Sequence, residues 1–111
     1  MSKIDFSDSL KRIDEPWQPQ DIAYVNDTCL RMAKIHGAYD WHVHRHEDEF
    51  FYVIKGSIFI DLEKESVELK EQQGYLVRRG VKHRSRSEKP AWVLLVEPTA
   101  TKTRGELNVK K

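Results

Sequence analysis

The segment Trp41-His42-Val43-His44-Arg45-His46-Glu47-Asp48-Glu49 carries three histidines and three acidic residues within nine positions. Side chains on a β-strand alternate between its two faces, so His42 and His44 point to the same side. If that side is the interior, the same register on the following strand directs Glu49 and Phe51 inward. This pattern predicts a β-protein that encloses two histidines and one carboxylate.

A further histidine follows at a distant position, in Gly80-Val81-Lys82-His83. Two imidazoles on one face of a strand can hold an ion from one side, and a carboxylate and a distant histidine would complete the site. Imidazole and carboxylate donors without a thiolate suit one divalent transition metal, such as Fe, Mn, Ni, Cu or Zn. Burying these groups without a cation is costly. The alternative is that hydrogen bonds alone satisfy them and no metal is bound.

The composition is that of one folded domain without a strong electrostatic bias. The 111 residues, 39% hydrophobic and 33% charged, fit a single core. A net charge of +1, with no aromatic platform beside the basic residues, argues against nucleic-acid binding. No apolar run approaches the roughly 20 residues that cross a bilayer, and no signal core is evident. We therefore expect a cytoplasmic protein without membrane contact, and the single cysteine, Cys29, excludes an intrachain disulfide.

Strand signals occupy the middle of the chain. Residues 1–20 are polar around Trp17 and predict an N-terminal arm, extended or with a short helical turn at residues 9–13. Residues 99–111 predict a polar C-terminal tail. Between them, the barrel predicted for residues 21–98 contains short β-prone runs at residues 22–25, 29–35, 41–45, 50–54, 57–62, 67–69, 75–77, 83–87 and 91–96. Short strands at regular spacing with little helix predict an all-β sandwich or small barrel.

Two of these runs, residues 50–54 and 92–96, are apolar on both faces. A strand in an exposed antiparallel sheet is normally polar on one side. The outer face must therefore be covered, either by the N-terminal arm with Trp17 or by a second subunit. We expect a homodimer, because two-fold dimers are the commonest way to bury such a patch.

The histidine motifs resemble those of the cupin superfamily over about residues 28–97. The first cupin motif is matched in order and spacing by His42, His44, Glu49 and Gly56, and the second is resembled by Gly74, Gly80 and His83. Arg78 replaces the proline of the second motif. The resemblance is to small single-domain metal-binding cupins of unassigned role. It implies a jelly-roll barrel, or double-stranded β-helix, and a divalent metal held by His42, His44, Glu49 and His83.

The resemblance also implies a class of function. Metal-dependent cupin enzymes act on small oxygen-rich substrates, by dioxygenase or other oxidoreductase chemistry or by sugar isomerisation. The alternative is a non-catalytic protein that binds or senses a small ligand. In either case the expected partner is a small molecule.

Four further residues are candidates for roles around the metal. His46 shares the parity of the ligand histidines, so it is a candidate catalytic proton carrier, a substitute for Glu49 as ligand, or an exposed turn residue. Arg31 could hold a substrate carboxylate if it faces inward, or be solvated or paired across a dimer if it faces outward. Phe51 and Tyr75 are candidates for substrate binding, with plain core packing as the alternative.

Overall fold

The computed structural model describes residues 3–102 and residue 105. In this part of the chain one short helix precedes seven strands. They are α1 (Phe6–Lys11), β1 (Gln20–Val25), β2 (Thr28–Ala38), β3 (Glu49–Lys55), β4 (Ile58–Asp61), β5 (Ser66–Leu69), β6 (Gly74–Val77) and β7 (Arg84–Pro98). The strands thus run from residue 20 to residue 98, and most of the predicted tail at residues 99–111 lies outside the described residues. No helix within the described part is long and apolar enough to cross a membrane.

The strands pair antiparallel in the order β1-β2-β7-β3-β6, while β4 pairs with β7 and with β5. β7 therefore joins two groups of strands. Its first residues pair with β4, and its remainder lies between β2 and β3. The all-β jelly-roll architecture predicted from the sequence is confirmed.

β7 is one continuous strand of 15 residues, and the prediction of two separate strands at residues 83–87 and 91–96 was wrong. The charged pair Glu88-Lys89 followed by Pro90 has the composition of a turn. In the structure, the register against β2 shifts between Ile35 and Gly37, and the segment around Pro90 forms the irregularity opposite them. Because proline lacks an amide hydrogen, such an irregularity accommodates it without losing a ladder hydrogen bond.

The hydrophobic core lies between the inner faces of the strands. β2, β3, β4 and β7 each contribute side chains at alternate positions, including Ala33, Phe51, Ile60 and Val93. The turn from β3 to β4 depends on Gly56, whose φ is 89°. A Cβ at this position would lie 3.0 Å from the Cβ of Ala91, so the close approach of β7 also requires glycine.

The N-terminal arm covers part of the outer face of the sheet. Asp5 caps α1, whose six residues overlap the helical turn considered at residues 9–13. Trp92 Nε1 donates to the Ile13 carbonyl at 3.1 Å, and Lys34 Nζ donates to the Asp14 carbonyl at 2.9 Å. These contacts lay the end of the arm over the outer side chains of β2 and β7, where Met32 is fully buried.

An apolar row on the same outer face is only partly covered. Leu30 pairs with Val96, Val96 with Phe50, and Phe50 with Leu76, across four neighbouring strands. Phe50 and Leu76 are 36% and 44% exposed. Of the two covers considered for this face, the arm accounts for one part, and the homodimer remains a prediction for the other.

Candidate metal centre

His42 and His83 are placed side by side by a bridge between distant segments. The amide of each residue donates to the carbonyl of the other at 3.0 Å. The two imidazole centroids are consequently 4.4 Å apart. His42 forms only this isolated bridge, so the strand predicted at residues 41–45 is wrong beyond that single pair.

His44 and Glu49 are fixed by contacts at the two ends of the same loop. The Gly80 amide donates to the His44 carbonyl at 2.8 Å, and Glu49 opens β3 opposite Val77. His42 and His44 are both buried, as predicted. Val43 between them was expected to face outward, and it is buried too. Its backbone is in close contact with Gly105, which belongs to the predicted tail.

Four side chains from these segments converge on one point. His42, His44, Glu49 and His83 each direct one ligand atom to a cluster whose members lie within 4.8 Å of one another. Glu49 Oε1 is 3.4 Å from His44 Nε2 and 3.4 Å from His83 Nε2. Donors about 2.1 Å from a metal are separated by about 3.0 Å at adjacent octahedral corners and about 3.4 Å in a tetrahedron. The two 3.4 Å distances from Glu49 to His44 and His83 match the separation of donors that share one divalent ion.

The tautomers of two histidines follow from their hydrogen bonds. His42 Nδ1 lies 2.9 Å from the Asp40 carbonyl, and His83 Nδ1 lies 2.9 Å from the Val81 carbonyl. A carbonyl oxygen only accepts, so each Nδ1 carries the hydrogen and donates it. The lone pair of each imidazole is then on Nε2, the nitrogen that a metal would bind. His83 Nε2 and Glu49 Oε1 are buried without a hydrogen-bond partner among the described residues.

The ionisation states of His42 and Glu49 both suit metal binding. Burial, together with the adjacent His83, lowers the pKa of His42 to about 4, so this imidazole is neutral near pH 7. Burial alone would raise the pKa of Glu49. The imidazoles of His44 and His83 and the neighbouring Glu97 outweigh that effect and hold the pKa below its usual range. The cluster therefore offers a neutral imidazole and a carboxylate, the forms that bind cations.

A second carboxyl, Glu97, lies behind Glu49. Burial and the contact with Glu49 raise the pKa of Glu97 to about 9. Glu97 Oε2 accepts from Arg31 Nη1 at 2.5 Å, and Arg31 Nε donates to Asp21 at 2.8 Å. Glu97 was not among the residues predicted for the site, although its alternation with Val93 and Leu95 on β7 indicated an inward-facing side chain.

Arg31 has neither the open inward position nor the solvated outward position considered for it. Its guanidinium pairs with Asp21 and Glu97 and donates to the carbonyls of Thr99 and Thr101. It is thus neither open to a substrate carboxylate nor solvated. Arg31 has these partners because β1, β7 and the turn after β7 surround its side chain. The local sequence around Arg31 does not indicate that these segments come together.

A small cavity of about 40 Å³ adjoins the cluster. It is lined by Trp17, Pro19, Ala33, Ile35, Tyr39, His42, Glu49, Phe51, Ser85, Val93 and Leu95. Phe51, one of the predicted substrate-binding residues, is therefore at the cavity. Tyr75 packs against the hydrophobic core instead, and His46 is exposed and lies outside the cluster.

Comparison with known proteins identifies relatives in sequence and in fold. Residues 31–97 match the family model described as a cupin domain. The chain is 45% identical over 67 residues to the uncharacterized protein YdbB of Bacillus subtilis (strain 168), and this match covers 60% of the chain and 59% of YdbB. The chain thus spans little more than half the length of that curated relative.

Two solved structures share the whole fold. The cupin-2 domain containing protein from Shewanella frigidimarina NCIMB 400 has a TM-score of 0.84 and 28% identity, over 86% of this chain and 93% of that one. Protein NMB1881 from Neisseria meningitidis has a TM-score of 0.81 and 28% identity, over 88% of this chain and 100% of that one.

Proposed function

The chain belongs to the cupin-domain family, and on this basis we propose that it binds one divalent transition metal through His42, His44, Glu49 and His83. The orientation of the imidazoles carries the proposal. Backbone carbonyls hold Nδ1 of His42 and of His83, which leaves both Nε2 atoms available at the cluster. Three nitrogen donors and one oxygen donor suit Fe, Mn, Ni, Cu or Zn.

The energetics of burial support the same proposal. All four residues are at most 6% exposed. Buried polar atoms without hydrogen-bond partners each cost about 1–3 kcal/mol, and a cation bound between them would remove that cost. A cluster held together by hydrogen bonds alone would instead pair these atoms with one another at shorter distances than 3.4 Å.

The ligand of the metal is a small oxygen-rich molecule. A metal that accepts six donors keeps up to two positions open beside four protein ligands, which suits a molecule that chelates through two oxygens. When bound, the metal would act as a Lewis acid or as a centre for oxygen chemistry. The cavity beside His42 and Glu49 is the place where such a molecule would lie.

The cavity favours metal-centred oxidation, such as dioxygenation, over sugar isomerisation. Isomerisation requires a positioned base beside the metal. His46 is exposed, and apart from the proposed ligands the titratable side chain lining the cavity is Tyr39. The remaining wall is largely apolar, which would exclude water from a reactive centre. The second candidate, a non-catalytic ligand-binding protein, uses the same site without turnover.

The metal assignment is tested by elemental analysis of protein purified without added ions. Wild-type protein is expected to hold close to one divalent ion per chain, and His44→Ala less than a tenth of that amount. His46→Ala is the matched control, because it removes an exposed imidazole two residues away and is expected to keep the wild-type content. Metal retained by His44→Ala, or lost from His46→Ala, would show that the ligands were assigned wrongly.

The reaction class is tested with a panel of catechols, diketones and sugars. Oxygen uptake with a catechol or diketone would support oxidation. Exchange of substrate protons with solvent without oxygen uptake would support isomerisation instead. Saturable binding with no turnover across the panel would favour the non-catalytic protein.

A further inference from the structure

The N-terminal arm brings one large aromatic side chain to the cavity beside the proposed metal site. Trp17 lines the cavity together with His42 and Glu49. Its ring stacks on Tyr39, with the centroids 4.8 Å apart and the planes 27° from parallel. Tyr39 in turn meets the His42 ring edge-on at 5.5 Å. Aromatic contacts therefore connect the arm with a proposed metal ligand.

The backbone holds Trp17 in a conformation that bulky residues seldom adopt. Its φ is 67°, in the left-handed region. The Trp17 amide donates to the Lys34 carbonyl at 3.0 Å, and Pro16 forms a parallel bridge with Lys34. Pro16 and Pro19 restrict the chain on either side. Unfavourable backbone of this kind persists where the surroundings fix it, and it concentrates at ligand sites.

Apart from Trp17 and Pro19 of the arm, most of the cavity wall belongs to the barrel. Ala33 and Ile35 on β2, Phe51 on β3, and Val93 and Leu95 on β7 are members of the buried core. Strand pairing fixes the positions of these side chains, so this part of the cavity wall is rigid. Trp17 is half-buried and comes from outside the strands. The space between this rigid part of the wall and the arm therefore depends on the size of the Trp17 side chain.

We propose that Trp17 determines the size of the ligand that reaches the metal, and that this ligand is a compact oxygen chelator. This inference rests on the proposed metal site. The cavity has about 40 Å³, and one water-sized group needs about 10–15 Å³. It thus has room for roughly three to four such groups, enough for a carboxylate or hydroxamate head. A phenyl ring attached to that head would exceed this volume, so it would have to displace part of the wall, and Trp17 is the large side chain of that wall that comes from outside the barrel.

Two hydroxamates test this assignment on the Zn²⁺-loaded protein. Acetohydroxamate and benzohydroxamate chelate through the same two oxygens but carry a methyl group and a phenyl ring. Isothermal titration gives the Kd of each, and the measured quantity is the ratio of the benzohydroxamate Kd to the acetohydroxamate Kd. In Trp17→Ala this ratio is expected to fall at least tenfold from its wild-type value, because the phenyl ring then has space.

Two further variants make the result specific. Trp17→Phe, which keeps a smaller ring, is expected to lower the ratio of the two Kd values at least threefold. This variant tests the role of Trp17 if Trp17→Ala does not fold. Trp92→Phe is the matched control, because Trp92 lies on the outer face beside Ile13, and it is expected to leave the ratio within twofold of wild type.

The outcomes separate this inference from the metal proposal. An unchanged ratio in the foldable Trp17 variants, with zinc still bound, would overturn the role of Trp17 alone. A parallel weakening of both hydroxamates would overturn it as well, since that reports loss of a general contact rather than of size selection. Failure of the wild-type chain to bind Zn²⁺ would overturn the proposed function together with this inference.

Discussion

Acidification of the metal-free protein tests whether His42 is buried as a neutral imidazole. The pKa of His42 falls from 6.5 to about 4 in the fold, chiefly because of burial. A group whose pKa is lowered by folding binds protons more tightly in the unfolded chain. Its contribution to stability is therefore complete above pH 6.5 and is lost as the pH falls toward 4.

The magnitude follows from the width of this interval. One pKa unit corresponds to 1.36 kcal/mol, so a shift from 6.5 to about 4 contributes at most about 3 kcal/mol. About 2 kcal/mol of this is lost by pH 5 and nearly all of it by pH 4. His42 is only 4% exposed, so solvent screening does not reduce the figure substantially. Total stabilities of small domains are about 5–15 kcal/mol, so the loss is large.

The assay is urea unfolding with a chelator present, at several pH values from 7 to 4, for wild type and His42→Asn. Other groups also titrate, and Glu97 does so with the opposite sign. Its pKa is raised to about 9, so its contribution is present at low pH and is lost as the pH rises through 9. Subtracting the variant from the wild type removes such shared contributions. The difference is expected to change by about 3 kcal/mol, and a difference that stays constant from pH 7 to pH 4 would refute the buried neutral imidazole.

Three further predictions concern the metal, the charge network and the assembly. Removing the metal with a chelator is expected to lower the Tm, measured by calorimetry, by on the order of 10 °C. The reason is that an ion present at a hundred times its Kd adds about 2.7 kcal/mol to the free energy of unfolding. Arg31→Met is expected to lower the free energy of unfolding by about 3 kcal/mol, since it removes the hydrogen bonds that the guanidinium donates to Glu97 and to the carbonyls of Thr99 and Thr101. An unchanged urea midpoint would contradict the network. The protein is expected to be a homodimer in light scattering, and Leu76→Ser, which places a hydroxyl in the exposed apolar row, is expected to yield monomers.

The elements that sequence reasoning predicted well are those encoded by alternation. Along β3, Glu49 and Phe51 are buried and Phe50 between them is 36% exposed, as alternation predicts. His42 and His44 are buried as predicted, but the intervening Val43 is buried too. A period of two is a local property, so it is readable without knowing which strands pair. The single strand β7 was missed because Glu88-Lys89-Pro90 has turn composition, and only pairing with β2 holds the segment extended.

Local sequence patterns do not predict which partners a side chain receives from distant segments. The environment of Arg31 depends on Glu97, 66 positions away, and on carbonyls that follow β7. From the sequence, the N-terminal arm with Trp17 was one of the two covers predicted for the outer face of the sheet. In the structure the arm lays Ile13 over the outer face and Trp17 against the cavity. The course of the arm is set by tertiary contacts, for which composition carries no signal.

The construction of the cluster implies that folding and metal binding support one another. Its ligands are held by backbone bonds between segments far apart in sequence, such as the His42–His83 bridge and the Gly80–His44 contact. These bonds exist only when the barrel has closed, so the unfolded chain has no preformed site. Closure in turn buries polar atoms that lack partners, such as Glu49 Oε1, at a cost in free energy. A cation that binds only the folded chain would offset that cost, and this is why metal loss and pH should act on stability through the same four side chains.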